Sequence, residues 1–96
     1  MTEYNNNKQL CSEVDKFIDE GRYDDALALL DGVLNEVTDS DLFYRRGRLL
    51  WKLGRKTDAM SDYGRAVEID PQSPAAAALD MAREVMNFYN KDMYNP

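Results

Sequence analysis

The pattern Gly21-Arg22-x-x-Asp25-Ala26 returns 33 residues later as Gly54-Arg55-x-x-Asp58-Ala59. Four identities in six positions, in a chain of 96 residues, point to a duplicated unit. The apolar residues move with the pattern: Leu10 matches Phe43, Phe17 matches Leu50, Ile18 matches Trp51, Leu27 matches Met60, Leu30 matches Tyr63 and Val33 matches Ala66. What repeats is a helical hairpin.

Steps of one, three and four between Leu10, Cys11, Val14, Phe17 and Ile18 mark one face of a helix over residues 8–20. Gly21 ends it, because glycine accepts the left-handed conformation at a helix C-terminus. A second helix is expected over about 23–36, with Asp24 and Asp25 in its first turn where carboxylates suit the helix dipole. Thr38, Asp39 and Ser40 supply N-capping side chains for a third helix over 41–53. A fourth, over 56–69, stops at Asp70-Pro71, since proline disfavours helix in the residue before it. Ser73-Pro74 starts a fifth, whose stripe Ala75, Ala78, Leu79, Ala82, Val85, Met86 and Tyr89 runs to about Asn90. Residues 1–7 read as a frayed polar end and 91–96 as a tail, with Met93 and Tyr94 folded back onto the fifth helix. The short links force neighbouring helices antiparallel, and no strand pattern occurs.

A chain this short makes one domain with a thin core. Its net charge of −6 argues against nucleic acid, which is held by clustered cations. The distribution is uneven: Arg45, Arg46, Arg48, Lys52, Arg55 and Lys56 fall in a stretch, 42–57, that holds no acid. One basic helix therefore sits in an acidic protein. Cys11 is the single cysteine, so no internal disulfide forms and a reducing compartment is the simpler reading. The N-terminus reads as neither a signal peptide nor a membrane span, and a cytoplasmic location is expected.

The second copy resembles a tetratricopeptide repeat, whose pattern is W-x2-L-G-x2-Y, then A-x3-F, then P. The matching residues are Phe43-x2-Arg46-Gly47-x2-Leu50, then Ala59-x3-Tyr63, then Pro71, with Ala66 at a further small position. Small residues at Gly47, Ala59 and Ala66 let two helices approach closely. The resemblance implies an all-α fold of five helices, hairpins stacked as a short right-handed superhelix. It divides the chain into a degenerate repeat over 8–38, a well-matched one over 40–73, a capping helix over 74–90 and the tail. For the capping helix, a spacing of 35 places Ala78, Met81, Ala82 and Val85 on Phe43, Arg46, Gly47 and Leu50. Arg46 stands where the pattern has leucine. Asp62, beside Tyr63, is its expected ion-pair partner between the two helices of the hairpin.

Such repeats present their first helices on a concave face that binds peptides, so the resemblance implies a protein or peptide partner. The corresponding positions are Asp41, Tyr44, Arg48, Trp51 and Lys52 in the second unit, Lys8, Cys11, Asp15, Ile18 and Asp19 in the first, and Leu79, Arg83 and Met86 in the cap. Tyr44, Arg48, Trp51 and Arg55 recur at i, i+4, i+7 and i+11, so they share one helical stripe, and aromatics with arginine are typical of interface hot spots. The alternative is that Tyr44 and Trp51 simply pack inward. The basic run reads either as a solvated face answering Asp15, Asp19 and Glu20 or as a site for an acidic segment or a terminal carboxylate. Cys11 reads as a packing residue. With no histidine, no metal-ligand cluster and no cysteine pair, neither catalysis nor a cofactor is expected. Self-association into a homodimer, through an incompletely capped apolar end, is the second hypothesis.

Overall fold

Gly21 and Gly54 both take positive φ, at 77° and 86°, and each closes a helix in the same way. The amide of Gly21 donates to Ile18 O and that of Arg22 to Phe17 O; Gly54 donates to Trp51 O and Arg55 to Leu50 O. These paired bonds satisfy carbonyls that a helix end leaves without partners. The arginine that follows each glycine opens the next helix. Its guanidinium reaches forward three residues, Arg22 to Asp25 at 2.8 Å and Arg55 to Asp58 at 2.9 Å. Arg22 also lies 4.7 Å from the centre of the Phe17 ring, sealing the first bend with a cation over an aromatic face. The recurring hexapeptide is thus a turn with its own chemistry.

The computed structural model describes the backbone of residues 2–94 and the side chains of residues 8–88. Five helices follow in order: α1 (Thr2–Asp19), α2 (Tyr23–Leu34), α3 (Ser40–Lys52), α4 (Lys56–Ile69) and α5 (Ala75–Tyr94). Two boundaries differ from the sequence reading. Helix α1 already starts at Thr2, in the stretch read as frayed, and α5 runs to Tyr94, through most of the stretch read as a tail. The expected fold-back of Met93 and Tyr94 lies outside the described side chains. At α3 the Asp39 carboxylate accepts from Leu42 N at 3.0 Å, and Ser40 Oγ donates to Ala66 O at 2.9 Å, tying the start of α3 to the end of α4. The buried Ser73 hydroxyl accepts from Ala75 N at the start of α5.

Each hairpin packs on the next through two apolar clusters. Val14, Ala26 and Leu30 of the first hairpin meet Leu42 and Leu49 of α3. Phe43 and Leu50 of α3, with Ala59, Tyr63 and Ala66 of α4, meet Ala75 of α5. Helices α3 and α4 pack most extensively of all pairs, as close approach at small residues allows. A Cβ added at Gly47 would stand 2.7 Å from two Tyr63 ring carbons. The radius of gyration is 14.6 Å, above the ~12.5 Å of a compact chain of this length, as stacking along one axis produces.

The register of α5 corrects the sequence reading. Leu42 and Leu49, the α3 residues buried against the preceding hairpin, correspond in burial to Ala75 and Ala82 of α5. That is a spacing of 33, not 35, so the same period runs through the whole chain. In this register Asp80 and Arg83 fall on Gly47 and Leu50, the face that in α3 receives α4. No helix follows α5 there among the described residues, and these exposed polar side chains meet water instead. The outer face of α5 is polar where the matching face of α3 is apolar.

Candidate functional site

The face made by the first helix of each unit is set by the salt bridges that hold α3. Arg46 donates from Nε and Nη2 to the two oxygens of Asp62, at 2.7 and 2.9 Å, and from Nη1 to Asp31 of α2 at 3.0 Å. Asp62 is buried, so the charges are solvated by each other. The bond to Asp62 is the main cause that raises the Arg46 pKa and keeps it charged. This pair, with Gly47, Ala59, Tyr63 and Ala66, belongs to the α3–α4 seam. Pro71 is exposed in the turn before α5.

The six cations of the basic run divide into two sets. Arg45 binds Asp15 of α1 at 2.8 Å and Asp41 at 3.0 Å, Arg46 binds Asp62 and Asp31, and Arg55 binds Asp58. The other three lie over aromatic rings: Arg48 is 5.7 Å from the centre of Tyr44, Lys52 is 5.6 Å from Tyr23 and Lys56 is 4.9 Å from Trp51. A ring face attracts a cation without neutralising it. The acidic neighbours therefore answer only part of the run.

Between α1 and α3 lies a groove of about 340 Å³. Val14, Ile18 and Leu49 give it an apolar side, Asp15 and Asp19 an acidic wall, and Arg45, Arg48 and Lys52 a basic wall. Towards the N-terminal half of α1 it opens into a wider hollow of about 930 Å³, lined by Lys8, Cys11, Asp41 and others. Asp15 and Arg45 line both sections, so their salt bridge is a bar between them.

The structure thus brings Ile18, Arg48 and Lys52 into one groove and sets Lys8 at its wider end. Tyr44 and Trp51 are half-buried on the other flank of α3. Both pack against the cluster shared with α4 and α5, and the Tyr44 ring sits 6.1 Å from Tyr63. Cys11 is half-buried with Sγ 3.5 Å from Asp41 Oδ2, and burial raises its pKa. Its thiol stays protonated at neutral pH. In the cap, Leu79 packs into the α3–α4 cluster, which removes it from the expected concave set. Its place, and those of Arg83 and Met86, pass in the period-33 register to Ala77, Met81 and Glu84. Met81 and Phe88 were missed from sequence. They are 67 and 63 % exposed and seven residues apart on one side of α5; Met81 corresponds to Arg48 of α3, and Phe88 to Arg55, which lies past the end of α3 at the start of α4. The unbroken Ala75–Ala78 run hid their register, because alanine marks no face.

A tetratricopeptide repeat family model matches residues 17–83, more than two-thirds of the chain and all of the α3–α4 hairpin. The chain belongs to the tetratricopeptide repeat family. Among solved structures, it is similar to a Bacteroides fragilis protein determined by solution NMR. That match has a TM-score of 0.76 and 37 % identity and covers 91 % of this chain and 89 % of the other. No curated protein matches the sequence. The family assignment and this likeness make the five helices an α-α superhelix. Tetratricopeptide repeats generally mediate protein–protein interaction and are typically non-catalytic. Among the described residues no helix is long and apolar enough to cross a membrane.

Proposed function

We propose that this tetratricopeptide repeat protein is a cytoplasmic, non-catalytic interaction module whose concave face, made by α1, α3 and α5, receives a segment of a partner polypeptide. The observation that carries the reading is the α1–α3 groove, where Arg48 and Lys52 stand without carboxylate partners among the described residues beside the apolar Val14, Ile18 and Leu49. Exposed, unneutralised cations next to apolar surface in a groove open to solvent suit a peptide better than a small molecule. Lys8 extends the face at the wide end, and Tyr44 supports Arg48 from the other flank of α3, where Trp51 also packs.

Affinity capture from the native cell extract tests this, with the wild-type chain beside an Arg48→Glu, Lys52→Glu variant of unchanged helical signal. The expected result is proteins retained by the wild type and lost by the variant. Identical retention by both removes the groove from the function.

A second reading, self-association through α5, is favoured by the exposed Met81 and Phe88. Light scattering separates the two: a monomer at tens of micromolar (order of magnitude) leaves only the first, since a homodimer whose function is structural must persist at such concentrations.

A further inference from the structure

We infer that the segment accepted by the concave face carries an acidic side chain beside a large apolar one. The carboxylate sits against Arg48 and Lys52, and the apolar group against Met81 and Phe88. The inference rests on the concave-face reading above and names the chemistry of the partner.

The period of 33 supplies the placement. The α1–α3 groove is walled by Asp15 and Ile18 on one side and by Arg48 and Leu49 on the other. Moved one repeat along, the corresponding positions are Arg48 and Trp51 on α3 and Met81 and Ala82 on α5. By this correspondence Arg48 borders the acidic and apolar α1–α3 groove on one side and, on the other, the side of α3 towards α5, where Met81 lies. Met81 and Phe88 are the two most exposed large apolar side chains among the described residues, and both lie on the continuation of this face.

Charge decides what fits. Arg48 and Lys52 remain unneutralised in a chain with eighteen acids to twelve bases, although Arg45, Arg46 and Arg55 around them are all paired. Asp15 and Asp19 of α1 line the same groove as the cations, and on α5 exposed Glu84 stands at the position matching Trp51. A long acidic run would meet repulsion on both sides, whereas a single carboxylate with an apolar neighbour meets attraction at α3 and apolar surface at α5. A second copy of the chain fits less well. Antiparallel pairing of two α5 helices that set Met81 against Phe88 of the other copy would be centred next to Glu84. It would then bring two like carboxylates together in molecules that each carry −6.

The test is selection of random short peptides, displayed without a free C-terminus, on the wild-type protein. The winning sequences are then measured as synthetic peptides against Arg48→Glu, Lys52→Glu and against Met81→Ser, Phe88→Ser. All four side chains are exposed, and circular dichroism verifies that both variants keep their helices. The expected winners combine an acidic and a large apolar residue within one helical turn or strand step. Each variant pair lowers their affinity about tenfold or more, and added salt weakens the wild-type complex. Winners without an acidic residue, or winners indifferent to one of the two variant pairs, overturn the proposed chemistry while leaving the concave face as an interaction surface. Winners that bind both variants undiminished, or no winners, overturn both. A dimer in sedimentation that Met81→Ser, Phe88→Ser abolishes assigns the apolar stripe to a second copy and also overturns the proposal.

Discussion

Arg46 grips Asp62 through two parallel hydrogen bonds of 2.7 and 2.9 Å across the α3–α4 hairpin, with the carboxylate side chain only 3 % exposed. Arg46 also reaches Asp31 of α2, so one guanidinium ties both hairpins together. Removing one side of such a pair strands the other charge, which typically costs about 3 to 5 kcal/mol. Asp62→Ala is expected to lose stability on that scale in urea unfolding. Asp58→Ala, whose carboxylate is 55 % exposed, should lose about 1 kcal/mol or less. Comparable losses in the two variants would show that burial adds nothing to the Arg46 pair.

Gly47 and Gly64 both lie inside helices, yet they should respond oppositely to alanine. A Cβ at Gly47 meets the buried Tyr63 ring at 2.7 Å and Ala59 O at 3.2 Å, so α3 and α4 must separate; overpacking of this kind costs roughly 1 to 3 kcal/mol. Nothing lies within 4 Å of a Cβ at Gly64. Gly64→Ala should raise stability by about 0.5 to 1 kcal/mol through helix propensity. Thermal melts of the two variants moving in the same direction would contradict the packing argument.

The polar outer face of α5 should be what keeps the array from extending. Asp80 and Arg83 occupy the positions where α3 has Gly47 and Leu50, and only a weak contact of 3.8 Å joins them. Asp80→Leu, Arg83→Leu gives that face the apolar character of a mid-array helix. Its expected consequence is concentration-dependent association in analytical ultracentrifugation, because an uncovered repeat face is sticky. A double variant that stays monomeric would mean that these side chains do not cap the array.

Burial raises the pKa of Tyr63, so the native state holds this phenolic proton more tightly than the unfolded chain does. The sign follows: stability from this group is complete below about pH 10, the unfolded value, and is lost as pH rises through the native one. The raised Cys11 thiol acts in the same direction, so Cys11→Ala is the proper background. There, melting temperature should fall above about pH 10, and Tyr63→Phe should flatten the fall. An equally steep alkaline decline with phenylalanine would assign it to other groups.

Much of the fold was legible because each local signal agreed with the others. Gly21 and Gly54 needed the left-handed conformation, Asp39 and Ser73 capped the helices they precede, and the small residues Gly47, Ala59 and Ala66 marked the close seam. Arg46 was legible through its companion, since a charge at an apolar position of a repeat demands an opposite charge within reach. The site was less so. Tyr44, Arg48, Trp51 and Lys52 fall within nine residues of one helix, and sequence alone could not tell which flank of α3 each would take. Tyr44 and Trp51 turn towards the α4 and α5 cluster, while Arg48 and Lys52 border α1.

By itself, the sequence determined the hairpin, its bends, its duplication and the Arg46–Asp62 tie, because these depend on residues close in the chain or fixed by the repeat. Only the tertiary structure decided the register of α5. Four consecutive alanines carry no periodic contrast, and burial of Ala75 and Ala82 against the preceding hairpin is a long-range choice. That choice turned Asp80 and Arg83 outward and left Met81 and Phe88 exposed on one side of α5.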